Sequence, residues 1–387
     1  MTNRDSLASL GPVICVVGAR PNYMKMAPIV AAFKEVGLPV LLVHTGQHYD
    51  TAMNDRLFAD LKMPKPDLNL EVGSGTHAVQ TAEIMRRFEP VVDEHKPSAV
   101  LVVGDVNSTL ACSLVATKKG IPVVHVEAGL RSYDRAMPEE INRILTDQLS
   151  DILYTTERSA LGNLQREGIP AERVEFVGNV MIDSLLANRE FAVLPAETLR
   201  RGGLDAAVLA HPKGFGVVTL HRPSNVDDPE KLKALLMILR EVSEKLPLVF
   251  ALHPRTRNNA DRFGLGEFFA APGFVCLPPQ GYLEMLGLMS KATVVLTDSG
   301  GIQEETTALA VPCITLRENT ERPITIEQGT NTLAGVDRAV IIDAVDEILG
   351  GGGKRGRTPE YWDGQAARRI AAHLADWLLQ RQAGPAN

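Results

Sequence analysis

The chain lacks what would suit it to nucleic acid, a membrane or a metal. Its 40 Lys and Arg stand against 47 Asp and Glu, a formal net charge of −7. No domain-wide basic excess exists to neutralise a phosphate backbone, so no nucleic-acid partner is expected; a local basic pocket for one phosphorylated ligand stays open. No apolar run approaches the length that crosses a bilayer. The opening MTNRDSLASLGPVICVVG has no basic n-region ahead of a cleavable apolar core, so PVICVVG reads as a first strand, not a signal peptide. Cys15, Cys112, Cys276 and Cys313 sit singly in apolar segments, as reduced buried thiols of a cytoplasmic protein would. Histidines are scattered with no H-E-x-x-H, so no metal site is expected. G-x-x-x-x-G-K-[ST] and G-x-G-x-x-G are both missing, which removes a P-loop and a dinucleotide fingerprint; no cofactor is expected. Aromatic residues make up only 5% against 45% hydrophobic, which favours an aliphatic α/β interior over a β-sandwich.

What the chain does have is alternation. Apolar runs such as PVLLVHTG, SAVLVVGD and IPVVHVEAG take turns with amphipathic stretches such as HAVQTAEIMRRFEPVVDEHK and PEEINRILTDQLSD. A second series runs from near Gly214 through GFGVVTL, PLVFALH, GFVCLPP, ATVVLTDS and VPCITLR. Buried strands alternating with helices mean parallel βαβ units with helices on both faces. The 387 residues suit two domains. The expectation is an α/β chain of two Rossmann-like domains facing across a cleft, at 1–183 and 184–365, with a helix at 366–387 crossing back. The stretch 183–213 reads as the hinge region.

Polar residues collect where strands end, which is where open α/β sheets bind ligands. They include Arg20, then His44, Gln47 and His48, then Asp105 and Asn107, then His125, Glu127 and Arg131. The second half supplies His221 and Arg222, His253 and Arg255, Ser299 with Glu304 and Glu305, and Arg317 with Glu321 and Arg322. Each has a plain alternative. An Asp after a strand is commonly an N-cap. Glu139 and Glu140 open a helix after Pro138, where acids suit the dipole. His125 between valines reads equally as a satisfied core histidine. The TDSGGIQEE stretch is either a phosphate cradle at a helix N-terminus or a strand-to-helix turn with acids set against the dipole. Arginines clustered around Ser-Gly-Gly favour a diphosphate clamp.

Nine stretches in order, GARPNYMKMAP, HTGQHYD, GDVNSTLA, HVEAGLRS, PEEINRILTD, GNVMID, LHRPSN, DSGGIQEE and NTERPI, resemble the non-hydrolysing UDP-N-acetylglucosamine 2-epimerases. The resemblance runs from about Val13 to the last helix. It implies the glycosyltransferase-B type of fold and reversible C2 epimerisation of UDP-N-acetylglucosamine to UDP-N-acetylmannosamine. The implied route is elimination of UDP, a 2-acetamidoglucal intermediate and re-addition. It implies Asp105, Glu127, Glu139 and His221 as catalytic residues. Arg20, Lys25, Arg143, Ser299, Gly300, Gly301, Glu305 and Arg322 would bind the UDP-sugar. A second UDP-N-acetylglucosamine would act as activator at Gln47, Arg222 and His253, and the chain would be a homodimer. Three loops depart from the commoner pattern: G-A-R-P-N for G-T-R-P-E, G-D-V-N-S for G-D-T-T-S, and T-E-R-P-I for T-E-R-P-E. The Arg and Asp are kept, but contacts around the sugar differ, and a related branch takes UDP-2,3-diacetamido-glucuronate. A glycosyltransferase on the same fold, a hydrolysing relative and a non-catalytic UDP-sugar sensor are the competing readings.

Overall fold

A computed structural model describes residues 3–47 and 58–383; the side chains of residues 3–5 and of Arg20 lie outside the description. The chain divides into two compact units, Met1–Ala187 with Glu360–Asn387, and Asn188–Pro359.

Unit 1 is built on β1 (Val13–Val17), β2 (Val40–His44), β3 (Leu68–Asn69), β4 (Ala99–Val103), β5 (Val123–Ala128), β6 (Ile152–Thr155) and β7 (Val174–Phe176). They form one parallel sheet in the order β3-β2-β1-β4-β5-β6-β7. Every residue of β1, β4 and β5 is buried, because helices cover both faces of a parallel sheet. On one face Ile14, Val16, Val43, Val100 and Val102 meet Ile84, Phe88 and Val92 of the helix His77–His95 and Ala111, Cys112 and Val115 of the helix Asn107–Lys118. The closing helix, Ala366–Ala383, packs against the helix Arg20–Val36. Its first turn is capped by Asp183, which accepts from Ala366 N–H at 3.2 Å and Ala367 N–H at 2.7 Å.

Unit 2 repeats the plan with β8 (Gly216–Thr219), β9 (Leu248–Ala251), β10 (Phe274–Leu277), β11 (Val294–Thr297), β12 (Cys313–Thr315) and β13 (Asn331–Leu333). The order is β10-β9-β8-β11-β12-β13, again all parallel. Period-two alternation sorts its core. Val218, Phe250, Leu296 and Ile314 face the helices Pro229–Ser243 and Arg338–Leu349, while Val217, Val249 and Val295 face Leu199, Leu288 and Met289. The α/β reading with two parallel sheets therefore holds.

The helix after β1 begins at Arg20; Pro21 sits in its first turn, where its missing N–H has no intrahelical partner to lose. The stretch 183–213, read from sequence as the hinge region, spans the boundary of the two units at Ala187 and Asn188. It holds the end of the helix Val180–Asn188 and the helix Pro195–Arg201, whose Leu199 is fully buried in the unit 2 core.

Candidate active site

Each sheet reverses its strand order beside its first strand: between β1 and β4 in unit 1, and between β8 and β11 in unit 2. Loops leaving such strands diverge and open a crevice at their carboxyl ends. Most of the site residues expected from sequence gather at these two places.

In unit 1, Gly104 follows β4 with φ +69°, and a side chain there would stand 3.0 Å from Lys25 Nζ and 4.0 Å from Glu127 Oε1. Bare backbone thus lets the next residue, Asp105, leave beside a buried ion pair. Lys25 Nζ lies 2.8 Å from Glu127 Oε1 and 2.6 Å from Oε2, with both side chains nearly dry. Glu127 itself has φ +73°, a left-handed conformation that costs a non-glycine residue energy and that clusters at functional sites. Asp105, partly open to solvent, is ion-paired to Arg143 Nη1. Arg143 in turn donates to Glu140 through Nε at 2.9 Å and Nη2 at 2.6 Å.

Glu140 is more than a dipole partner. It is buried and accepts from the N–H groups of Ser132 at 3.0 Å and Tyr133 at 2.8 Å. Burial works to raise its carboxyl, but those N–H groups and Arg143 outweigh this and hold it below the usual range. Glu139, one residue earlier, is half-buried in the first turn of the helix Pro138–Leu149. Gln47 turns inward: its Oε1 accepts from Ser108 N–H at 3.2 Å and Ser108 Oγ–H at 2.7 Å. His48 and the side chain of Arg20 lie outside the described residues.

His125 is fully buried and bonded at both nitrogens, to Asp147 Oδ1 at 2.6 Å and to the Gly104 carbonyl at 2.8 Å. It is a satisfied core histidine, and its partners are the backbone and the carboxylate that frame the site.

In unit 2, Asp298 follows β11 and is completely buried. It accepts from the N–H groups of His221 at 3.0 Å and Arg222 at 2.9 Å, from Asn225 Nδ2 at 3.2 Å, and lies 3.0 Å from His221 Nδ1. Burial would raise this carboxyl; the His221 ring and the backbone N–H groups hold it below its ordinary value. An ionised Asp298 fixes Nδ1 as the protonated nitrogen of His221 and leaves Nε2 on the half-exposed side of the ring. The His253 ring is 5.7 Å from it, with Nδ1 accepting from Arg255 N–H at 3.2 Å.

Ser299 is the N-cap of the helix Gly300–Leu309 but makes no side-chain cap, and no acid stands in the first turn. The reading of acids placed against the dipole is therefore wrong for this helix: Glu304 and Glu305 lie in its second turn and are buried. With no side-chain cap and no acid in its first turn, the helix start has the N–H groups and positive dipole end that suit an anion. Gly300 has no room for a side chain, since a Cβ would stand 2.5 Å from Glu321 Oε1. Glu321 is bound by Arg317 Nη2 at 2.8 Å and lies 3.7 Å from Arg222 Nη2. Burial pushes its carboxyl up, but Arg317, Arg322 and Arg222 hold it far below the usual range. Arg322 Nε is 3.0 Å from Glu304 Oε1. Glu305 is different: burial pushes it up to about 7, the Tyr282 hydroxyl opposing and Glu304 adding to the rise.

Sequence reasoning passed over Asp298, Asp147 and Glu140 as working parts. Asp298 had a signal, an acid between a β-branched strand and Ser-Gly-Gly. Asp147 lay inside an ordinary helical pattern and had none.

A family model described as UDP-N-acetylglucosamine 2-epimerase matches residues 31–375. A UDP-N-acetylglucosamine 2-epimerase of Methanocaldococcus jannaschii is 40% identical over 362 residues, covering 93% of this chain and 97% of that protein. A UDP-2,3-diacetamido-2,3-dideoxy-D-glucuronate 2-epimerase of Pseudomonas aeruginosa is also 40% identical, covering 94% and 99%. The crystal structure of the M. jannaschii UDP-GlcNAc 2-epimerase in complex with UDP-GlcNAc and UDP superposes with a TM-score of 0.83 at 38% identity, covering 94% of this chain and 99% of that one.

Proposed function

The chain belongs to the UDP-N-acetylglucosamine 2-epimerase family, and from that premise we propose that it interconverts UDP-N-acetylglucosamine and UDP-N-acetylmannosamine by eliminating and re-adding UDP. One observation carries the reading: the two switch points hold complementary chemistry. Unit 2 offers an uncapped helix N-terminus at Ser299, Gly300 and Gly301, with His221 held on Asp298 and with Arg222 and Arg322 around Glu321. That set suits a diphosphate and its departure. Unit 1 offers Asp105 on Arg143 and Glu127 on Lys25, carboxylates held by cations. That set suits proton transfer.

The chemistry asks for both. The C2 proton has no carbonyl beside it, so direct removal is very unfavourable. As the C1–O bond breaks, its electron pair leaves with UDP and positive charge gathers at C1. The C2–H bond then becomes acidic, and its electrons form the C1–C2 double bond of 2-acetamidoglucal while a carboxylate takes the proton. Return of a proton to the opposite face of C2, with UDP oxygen adding at C1, gives the epimer. Arginines and helix N–H groups stabilise the charge that develops on UDP. In this reading His221, oriented through Asp298, meets the link oxygen, and Glu305 holds the ribose hydroxyls. Asp105, the more open carboxylate, is the base for one face. Glu127 or Glu139 serves the other, and Arg20 and Lys25 complete the substrate contacts.

Asp105→Asn tests the assignment. UDP binding stays as in the wild type, and interconversion falls by a factor of about 10²–10⁴. An Asp105→Asn protein that turns over normally would remove Asp105 from the mechanism. The equal identity to the P. aeruginosa enzyme favours a second reading, with a diacetamido uronate as the sugar; assaying both UDP-sugars side by side separates them.

A further inference from the structure

The carboxylates of unit 1 are held by one buried device. Glu127 sits in the left-handed region at φ +73°, where a β-strand gives way to a turn and the β5–β6 register shifts between Val126 and Ala128. Such a conformation persists only if its surroundings over-determine it. Two residues before it, His125 reaches Asp147 Oδ1 at 2.6 Å. Two residues after it, Gly129 N–H donates to Asp147 Oδ2 at 3.0 Å. One carboxylate therefore pins both flanks of Glu127. Arg131 Nη2 also donates to Oδ2, at 2.7 Å, and is itself held by Glu167 at 2.6 Å.

The other face of the same imidazole works on Asp105. His125 Nε2 lies 2.8 Å from the carbonyl of Gly104, whose own φ is +69° and whose N–H is bonded to Val126 at 3.1 Å. A carbonyl can only accept, so Nε2 carries a proton and donates. That bond sets the peptide plane from which Asp105 departs.

We infer that the His125–Asp147 pair is a shared positioning element that fixes the backbone of both Glu127 and Asp105. Neither His125 nor Asp147 touches the reacting atoms in this account. Both are completely buried, and their hydrogen bonds are committed to the protein. The inference rests on the proposed roles of Asp105 and Glu127.

The test pairs two variants with a control. His125→Phe keeps a ring of similar size and removes both hydrogen bonds. Its kcat for UDP-N-acetylglucosamine falls about 100-fold, the loss expected when reacting groups are misplaced by about an ångström. KM and UDP affinity stay within about threefold of wild type, because the nucleotide-binding set is in the other unit. His125→Gln restores an N–H donor towards Gly104 and recovers about tenfold of the lost kcat. Two results would overturn the inference. One is a His125→Phe enzyme with near-normal kcat. The other is equal loss in both variants, with UDP affinity and thermal stability falling alongside kcat, which is the mark of a merely structural residue. Should His125→Phe not fold, the kcat and UDP affinity of His125→Gln decide alone: reduced kcat with retained UDP affinity supports the pair. Asp105→Asn is the control. If it too keeps full activity, the reading of the carboxylates has failed and the positioning role goes with it. If it alone is inactive, only the positioning role has failed.

Discussion

Gly300→Ala puts the proposed anion cradle under strain at a single atom. The added methyl would stand 2.5 Å from Glu321 Oε1, where ordinary contact begins at 3.4 Å. The carboxylate must withdraw by roughly an ångström. It is not free to do so, because Arg317 Nη2 holds its other oxygen at 2.8 Å and Arg222 stands near the first. Losing one hydrogen bond between charged groups costs about 1.5–3 kcal/mol. The alternative, a shift of the helix start, spoils the N–H geometry for an anion by a similar amount. Since about 1.4 kcal/mol is a factor of ten, UDP affinity falls about ten- to hundredfold. Calorimetric titration with UDP and a urea unfolding curve read the two effects. A Gly300→Ala protein with wild-type UDP affinity and an unchanged unfolding midpoint would refute both the crowding argument and the place of Gly300 in the cradle.

Other expectations follow from the buried carboxyls. Glu305 titrates near 4.5 when unfolded and at about 7 in the fold, so the folded chain keeps a proton that the unfolded chain has lost between those values. Stability therefore drops as pH rises from about 4.5 to about 7 and stays reduced above. Glu305→Gln removes this pH dependence, and its stability relative to wild type rises by about 3 kcal/mol between pH 4.5 and pH 8; a difference that does not change with pH, measured by denaturation, would contradict the burial argument. Asp298→Asn leaves one oxygen for donors that now share two. It lowers stability by about 1–3 kcal/mol and turnover by about 10²-fold, with activity falling more than UDP affinity; equal losses would make Asp298 a structural residue only.

The sheets were legible because parallel strands covered on both faces are nearly continuous apolar runs, and VICVV, AVLVV and VVLT are hard to read otherwise. The switch points were less so. Polar residues at strand ends could be found one loop at a time, but which loops adjoin depends on strand order, and nothing local in GDVNS or HVEAG says that β4 lies between β1 and β5. Buried polar pairs were hidden for a related reason. His125 and Asp147 are 22 residues apart, and each satisfies its local pattern, one within a strand and one within a helix. The helix Pro195–Arg201 was missed because a short helix between Gly and Pro residues has too few turns to show a period, although burial of Leu199 anchors it.

In the proposed reaction the C2 proton leaves and returns while UDP is expelled and recaptured. Proton NMR of UDP-N-acetylglucosamine with the purified protein in D2O tests it directly. A UDP-N-acetylmannosamine signal grows, with deuterium replacing the C2 proton in both UDP-sugars. Epimer formed with its C2 proton retained, or UDP and free sugar accumulating in its place, would contradict it.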